Sequence, residues 1–177
     1  MNSRRLIVSG AIAISVALVI VSCTGVETEP LLDPIAAADI SAQSLWERIT
    51  EESDYTEYSF WPGHEGEKPG QSPHGVVHRI YVNRTLLEGL PAADARAPDG
   101  SIVVKDNLNA ARELVAITVM AKVEGYAPET GDWFWARYAP DGTVQAAGAI
   151  ASCIVCHQGV ASNDYVIVQQ LNAPVAR

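Results

Sequence analysis

"ELVAITVMAKV", residues 113–123, is the stretch of this 177-residue chain with the most regular pattern. Apolar side chains alternate along it with other residues, and a period of two is typical of a β-strand that buries one side. The inward-facing set is Val115, Ile117, Val119, Ala121 and Val123. Because one strand is not stable alone, the segment predicts a sheet with partner strands elsewhere in the chain.

Four further stretches have the composition of strands. They are rich in Val, Ile, Tyr and Trp, and turn signals such as "PDG" at residues 98–100 and 140–142 lie beside them. The stretches are "VVHRIYV" from Val76, "SIVVK" from Ser101, "DWFWARY" from Asp132 and "DYVIVQQ" from Asp164. Together they predict an α+β fold, mainly an antiparallel β-sheet with flanking helices.

A helix and a loop are predicted before these strands. In "DISAQSLWERITEES", residues 39–53, apolar residues recur at helical spacing, and Ser41 or Ser44 can cap the first turn. The following "YSFWPGHEGEKPGQSPHG", residues 58–75, is rich in Gly and Pro and has no regular period. It predicts a long loop.

The first 22 residues differ from the rest of the chain. Arg4 and Arg5 precede an uncharged apolar run over residues 6–21, as in an export signal. "IVSC", residues 20–23, resembles the lipobox of bacterial lipoproteins, in which lipid is attached to the cysteine, here Cys23. An uncleaved transmembrane anchor is the alternative, because about 17 apolar residues reach the lower limit for a membrane span.

These features divide the chain into a lipoprotein signal peptide (1–22), a spacer (23–38) and a domain (39–177). They predict a protein lipid-anchored on the periplasmic side of a bacterial cell envelope. Thr24 stands where an inner-membrane retention signal has Asp, which favours the outer membrane. The formal net charge of −9 argues against a nucleic-acid partner and favours a basic redox partner protein or a small neutral molecule.

"CIVCHQG", residues 153–159, contains the C-x-x-C-H spacing of haem c attachment. Cys153 and Cys156 can form thioethers with haem, while His157 reaches the iron from the same helical turn. A thioredoxin-like dithiol and half of a zinc site have similar spacing. The motif follows no βαβ pattern and the chain has no second cysteine pair, so the sequence favours one haem c per chain with His157 as an axial ligand.

The second axial ligand decides whether the haem only carries electrons. Only 20 residues follow His157, and none is Met or His. Upstream, Met120 lies in strand-like sequence and is expected to be a packing residue of the sheet. The imidazoles of His64, His74 and His78 lie around the loop, and any one of them could be the second axial ligand of the iron. The simplest prediction is a five-coordinate haem with an open face that binds small ligands.

The order of these segments resembles the cytochrome P460 family and its relative, the β-sheet cytochrome c-prime-beta. The resemblance implies a β-rich domain that carries haem c near the C-terminus, and it suggests a homodimer. The matching segments are "HGVVHRIYVN" (74–83), "PDGSIVVKDN" (98–107), "GDWFWARY" (131–138), "CIVCH" (153–157) and "NDYVI" (163–167).

In cytochrome P460 a lysine is bonded to the haem macrocycle in addition to the two thioethers, and the enzyme oxidises hydroxylamine. The residue that matches this lysine is Lys105, which is therefore the candidate for a haem cross-link and a catalytic role. By strand alternation, Lys105 shares a face with Val103 and Ser101. The resemblance implies an oxidoreductase that acts on hydroxylamine or a related small nitrogen species.

The sequence departs from the family pattern at one position. The distal glutamate that accepts protons in the family matches Ile117 or Thr118, and neither is acidic. Glu113 shares the side of Ile117 but lies about 13 Å away along an extended strand. Two alternatives therefore stay open: a c-prime-beta-like protein that binds NO or CO, and an electron-transfer cytochrome whose iron has two protein ligands.

Overall fold

The alternating segments pair into one antiparallel sheet in the computed structural model, which describes residues 29–174. Its strands are β1 Ser59–Phe60, β2 Lys68–Pro69, β3 Val77–Val82, β4 Ile102–Leu108, β5 Leu114–Lys122, β6 Trp133–Tyr138 and β7 Val144–Gly148. The order across the sheet is β1-β3-β4-β5-β6-β7, and β2 also pairs with β3.

Short helices flank this sheet. Within the described residues the α-helices are α1 Ala42–Glu47, which continues as a π-helical turn over Arg48–Glu52, α2 Arg84–Glu88 and α3 Ala151–His157. Turns of 3-10 helix cover Tyr55–Glu57, Pro128–Thr130 and Gln158–Asn163. The predicted α+β class, mainly antiparallel sheet with flanking helices, is thus confirmed.

The strand register aligns side chains in rows across the sheet. Lys105 on β4 pairs with Ile80 on β3 and with Thr118 on β5, and Thr118 pairs with Arg137 on β6. The next row on the same side contains Val82, Val103, Met120 and Trp135. This side packs against α3 and is called the α3 face, and the opposite side packs under α1 and is called the α1 face.

The α1 face is an apolar core. Ser41 and Ser44 form a capping box at the start of α1, as the sequence predicted. Leu45 and Ile49 are fully buried against the inward side of β5, where Ile117 is 2% exposed. Burial of each such side chain stabilises the fold by about 1.5–3 kcal/mol, so α1 is held by packing rather than by its short helix alone.

Two predictions about the strands were incomplete. The segment predicted as a loop, residues 58–75, contains the short strands β1 and β2. The strand β7 was not predicted, because its side chains are mostly exposed and Val144 is its only large apolar residue. An edge strand with one free side needs no apolar alternation, so its sequence carries a weak signal.

The prediction of a strand from Asp164 was wrong. Asp164 and Tyr165 both have positive φ, 51° and 64°, which no strand residue adopts. The side chain of Asn163 replaces the ladder: its Nδ2 donates to the carbonyls of Val166 and Gln169, and its Oδ1 accepts from the backbone N–H of Leu171. Side-chain hydrogen bonds therefore hold this apolar segment as a compact irregular turn.

Residues 29–38, the described part of the predicted spacer, lie along the domain. The carboxylate of Glu29 accepts from the backbone N–H of Arg84 at 2.9 Å, and Arg48 donates to the carbonyl of Asp33 at 2.9 Å. The predicted signal peptide and Cys23 lie outside the described residues. Within the described part, no helix is long and apolar enough to cross a membrane.

Candidate haem site

The helix α3 presents two thiols and an imidazole on little more than one turn. Cys153 is half-buried and packs into the cluster of the α3 face, whereas Cys156 is exposed. His157 is the last residue of the helix and is half-buried. Both cysteines are free thiols, so both are available for thioether bonds.

His157 is oriented by a backbone acceptor. Its Nδ1 lies 2.7 Å from the carbonyl oxygen of Tyr165, which can only accept, so Nδ1 carries the proton and Nε2 keeps its lone pair. The ring packs against Trp135 with centroids 4.7 Å apart. Burial lowers the pKa of His157, although the Tyr165 hydrogen bond opposes this shift. The imidazole is therefore suited to ligate a metal through Nε2.

A buried ion pair supports the Tyr165 carbonyl. The ammonium group of Lys122 lies 2.7 and 2.8 Å from the two carboxylate oxygens of Asp164 and donates to the carbonyl of Gly131 at 2.7 Å. The indole N–H of Trp133 donates to the carbonyl of Asp164 at 2.8 Å. These contacts fix the turn immediately before Tyr165. Sequence reasoning missed the pair, and its one signal was a lysine at the end of an apolar strand.

Lys105 lies on the α3 face, half-buried, in register with Thr118. Burial lowers the pKa of its ammonium group to about 8. The charge of Lys105 contributes to lowering the pKa of His74, His78 and His157. In the strand register Lys105 pairs with Thr118, whose Oγ1 lies 3.4 Å from Nδ1 of His74. The cross-link candidate and the proposed axial ligand thus share one site.

Thr118 is one of the two positions that the resemblance matches to a distal carboxylate, and it lies on the α3 face in register with Lys105. Ile117 points into the α1 face and is 2% exposed, so of the two candidate positions only Thr118 belongs to the site. Glu113 is exposed and accepts from the side chain of Asn109 in the turn before β5. The strand residues of the α3 face, as far as the structure describes them, include no carboxylate.

His74 completes the site from the loop between β2 and β3. Its Nδ1 lies 3.3 Å from Oδ1 of Asn107 and 3.4 Å from Oγ1 of Thr118, and its ring centroid is 6.3 Å from that of His157. Burial, together with the charges of Lys105 and His157, lowers the pKa of His74 to about 4. The imidazole is therefore neutral near pH 7.

The other candidate ligands lie in different surroundings. His78 is in β3, and its buried Nδ1 has no hydrogen-bond partner among residues 29–174. His64 is half-buried in the loop between β1 and β2, where its backbone N–H donates to the carbonyl of Trp61. Met120 packs in the same cluster as Cys153 and Ile154, which agrees with the predicted packing role.

These residues fit a covalently bound haem. The two thiols would attach the haem, the free Nε2 of His157 would be one ligand of its iron, and Trp135 would form an apolar wall beside it. Trp135 is only 3% exposed, and its buried indole N–H has no acceptor within the described part of the chain. Such an orphan donor indicates that the site is built to receive a further group.

Comparison with known families identifies the chain. The family model described as Cytochrome P460 matches residues 53–168, which is more than half of the 177 residues. A comparison with curated proteins finds no match. The matched range includes both thiols, the imidazole of His157 and the strand that carries Lys105. The chain belongs to the cytochrome P460 family and is a haem c cytochrome.

Proposed function

We propose that this chain is an exported mono-haem oxidoreductase that acts on hydroxylamine or a related small nitrogen species. Cys153 and Cys156 hold the haem through thioethers, His157 is an axial ligand, and Lys105 forms a third covalent link to the macrocycle. When bound, the haem supplies the redox-active iron. The residues of the protein attach it, orient it and tune its reactivity.

The position of Lys105 is the observation that carries this proposal. Lys105 is half-buried on the face that packs against α3, the helix that ends at His157, and burial lowers the pKa of its amine to about 8. A larger share of the amine is therefore neutral near pH 7 than for an exposed lysine, and only the neutral amine is nucleophilic. Forming the N–C bond removes one hydrogen from Nζ and one from a macrocycle carbon, and a peroxide can take up the two electrons.

The polar residues around the ligand-binding side supply hydrogen bonds rather than a carboxylate. Thr118, Asn107 and His74 form a connected group beside Lys105. Hydroxylamine is small and polar, so these side chains can orient it. In this proposal His74 or solvent takes its protons, since neither position that the resemblance matches to the family carboxylate is acidic.

A second candidate function follows from that replacement. Without a distal carboxylate the site resembles a binder of NO or CO of the c-prime-beta kind. Hydroxylamine-dependent electron transfer to an added acceptor supports the first function. Tight gas binding without such transfer supports the second.

The proposed location is the periplasmic side of the envelope, with lipid on Cys23. The lipobox-like "IVSC" at residues 20–23 supports it, and the acidic chain suits a basic redox partner protein. Labelling of expressing cells with a radioactive fatty acid tests the anchor. Label on the wild type that is lost in Cys23→Ala is expected, and an unlabelled wild type contradicts it.

The cross-link is tested by intact mass and absorption spectra of the haem-loaded protein. The wild type is expected to lose two hydrogens beyond simple haem addition, and Lys105→Ala is expected to return an ordinary c-type spectrum. Lys68→Ala, which changes a lysine at the sheet edge, is the matched control and keeps the wild-type spectrum. An unmodified Lys105 peptide in a haem-loaded sample would overturn the cross-link.

A further inference from the structure

We propose that His74 is the second axial ligand of the haem iron in the resting protein, opposite His157, and that substrates or gases must displace it. The inference rests on the haem attachment proposed above. From the sequence, the side of the haem opposite His157 is expected to be permanently open. In this proposal the imidazole of a loop residue occupies that side reversibly.

The separation of the two imidazoles is the first observation. A metal–imidazole bond is about 2.0 Å long and the ring centre lies about 1.1 Å beyond the nitrogen, so two imidazoles on opposite sides of one metal have centres about 6.2 Å apart. The ring centroids of His74 and His157 are 6.3 Å apart, and the ring planes are 81° from parallel. The pair therefore has the spacing of two axial ligands on one iron.

The hydrogen bonds of Asn107 assign the tautomer of His74. The amide nitrogen of Asn107 donates to the carbonyls of Lys105 and Ala116, both at 3.0 Å, so the amide oxygen must be the atom that faces His74. Because this oxygen can only accept, Nδ1 of His74 carries the proton. Its Nε2 keeps a lone pair and is the nitrogen left for the metal.

His157 has the same arrangement. Its Nδ1 donates to the carbonyl of Tyr165, which also leaves Nε2 free. Metal-ligating histidines commonly donate their other ring N–H to an oxygen acceptor, which fixes the tautomer and the ring orientation. Both imidazoles therefore have the support expected of metal ligands, one from the sheet through Asn107 and one from the turn after α3.

The loop that carries His74 is held by backbone hydrogen bonds. The backbone N–H of His74 donates to the carbonyl of Gln71, and the backbone N–H of Gly70 donates to the carbonyl of Val76, both at 2.9 Å. Gly75 has φ +75°, and a Cβ there would lie 2.6 Å from the carbonyl oxygen of Leu108. Only glycine allows this close turn, which places His74 beside Asn107.

Ligation by His74 changes how the proposed reaction begins. A small nitrogen species or a gas reaches the iron only in the fraction of molecules from which His74 has dissociated. Its apparent affinity is reduced by that fraction. Removal of the imidazole is therefore expected to increase ligand binding.

The test is the spin state of the haem-loaded protein. The ferric wild type is expected to be six-coordinate and low-spin, and its near-infrared magnetic circular dichroism is expected to show the band of two imidazole ligands. His74→Ala is expected to become high-spin, and added imidazole is expected to restore the low-spin spectrum. His78→Ala, which changes another half-buried imidazole near Lys105, is the matched control and stays low-spin. CO binding by reduced His74→Ala is expected to be faster by about tenfold or more.

The contrary outcomes are distinct. A high-spin wild type, or a low-spin wild type whose near-infrared band shows an imidazole–methionine or imidazole–amine pair, would overturn the role of His74. The wild-type band decides this even if His74→Ala fails to load haem. Absence of covalent haem from the wild type would instead overturn the proposed function, so the two failures can be told apart.

Discussion

The two faces of the sheet are built from the same strands, but the α1 face is a packed core and the α3 face carries the candidate haem site. On the α1 face, Ile117 and its neighbours pack under a helix, and the buried Asp106 is matched by Tyr55 and Arg79. On the α3 face, the residue next to Ile117 is Thr118, which stands in register with Lys105. Because successive side chains of a strand point to opposite faces, one strand contributes Ile117 to the apolar core and Thr118 to the polar site.

Loss of haem attachment is the largest expected effect and should be confined to the α3 face. Replacing Cys153, Cys156 and Lys105 with Ala removes the two thioether bonds and the proposed amine link, so no haem is expected to remain on the denatured chain. Haem staining after a denaturing gel measures this. Val155→Ala on the same helix, at a side chain that is 69% exposed, is the control and should retain the stain. Full staining of this triple variant would show that the attachment lies elsewhere.

Breaking the ion pair under His157 is expected to cost stability. Lys122→Met leaves the carboxylate of Asp164, 2% exposed, without its cation, and an unpaired buried charge costs about 3–5 kcal/mol. Urea denaturation measures the loss. Adding Asp164→Asn should recover part of it, because Asn tolerates the positive φ and can still accept from the N–H of Ala97. A loss below about 1 kcal/mol in Lys122→Met would mean that the pair is solvated.

Substitutions at two adjacent residues of β5 should affect different properties, one the stability of the fold and the other the haem absorption spectrum. Ile117→Ala opens a cavity in the α1 face and is expected to destabilise the protein by about 2–5 kcal/mol, with the haem absorption unchanged. Thr118→Val is expected to cost about 1 kcal/mol, since it removes the acceptor of the Asn107 hydrogen bond. It should nevertheless change the haem spectrum. Equal spectral changes in both variants would contradict the division between the faces.

The smallest expected effect concerns pH and the α1 side of the sheet. Burial raises the pKa of Glu29 from 4.5 to about 7, while its hydrogen bond with Arg84 opposes this shift. Between these two values the folded chain holds a proton that the unfolded chain has lost, so this group's contribution to stability falls as the pH rises through that range. Glu29→Gln should remove this part of the decline.

Urea midpoints at pH 5 and pH 8 measure the pH effect. The exposed Glu124→Gln provides a matched control that should keep the wild-type difference between the two pH values. An unchanged pH dependence in Glu29→Gln would show that its carboxyl group is solvated in the folded protein.

Local patterns explain which parts of the fold could be predicted. The strands β3 to β6 contain apolar residues at alternate positions because one or both of their sides are buried. The strand β7 lies at an edge with mostly exposed side chains and has no such pattern. The segment from Asp164 has the composition of a strand, but Asn163 satisfies its backbone, and composition does not report such a side-chain bond.

The same distinction applies to the site. The thiols and His157 are close in sequence, so their spacing, together with the lack of a second cysteine pair, predicted a haem site. The contacts of His74 with Asn107, 33 residues away, and of Lys122 with Asp164, 42 residues away, depend on chain segments that meet only in the folded protein. No short window of sequence contains either pair.

The sequence by itself determined the strands β3 to β6, the haem motif and the residues that share a face with Lys105, because each follows from the spacing of residues a few positions apart. Only the tertiary structure decided that Thr118 rather than Ile117 belongs to the site, and that His74 rather than another histidine faces His157. The physical reason is that strand register and loop closure determine these distances. Both are set by packing and hydrogen bonds between segments far apart in the chain.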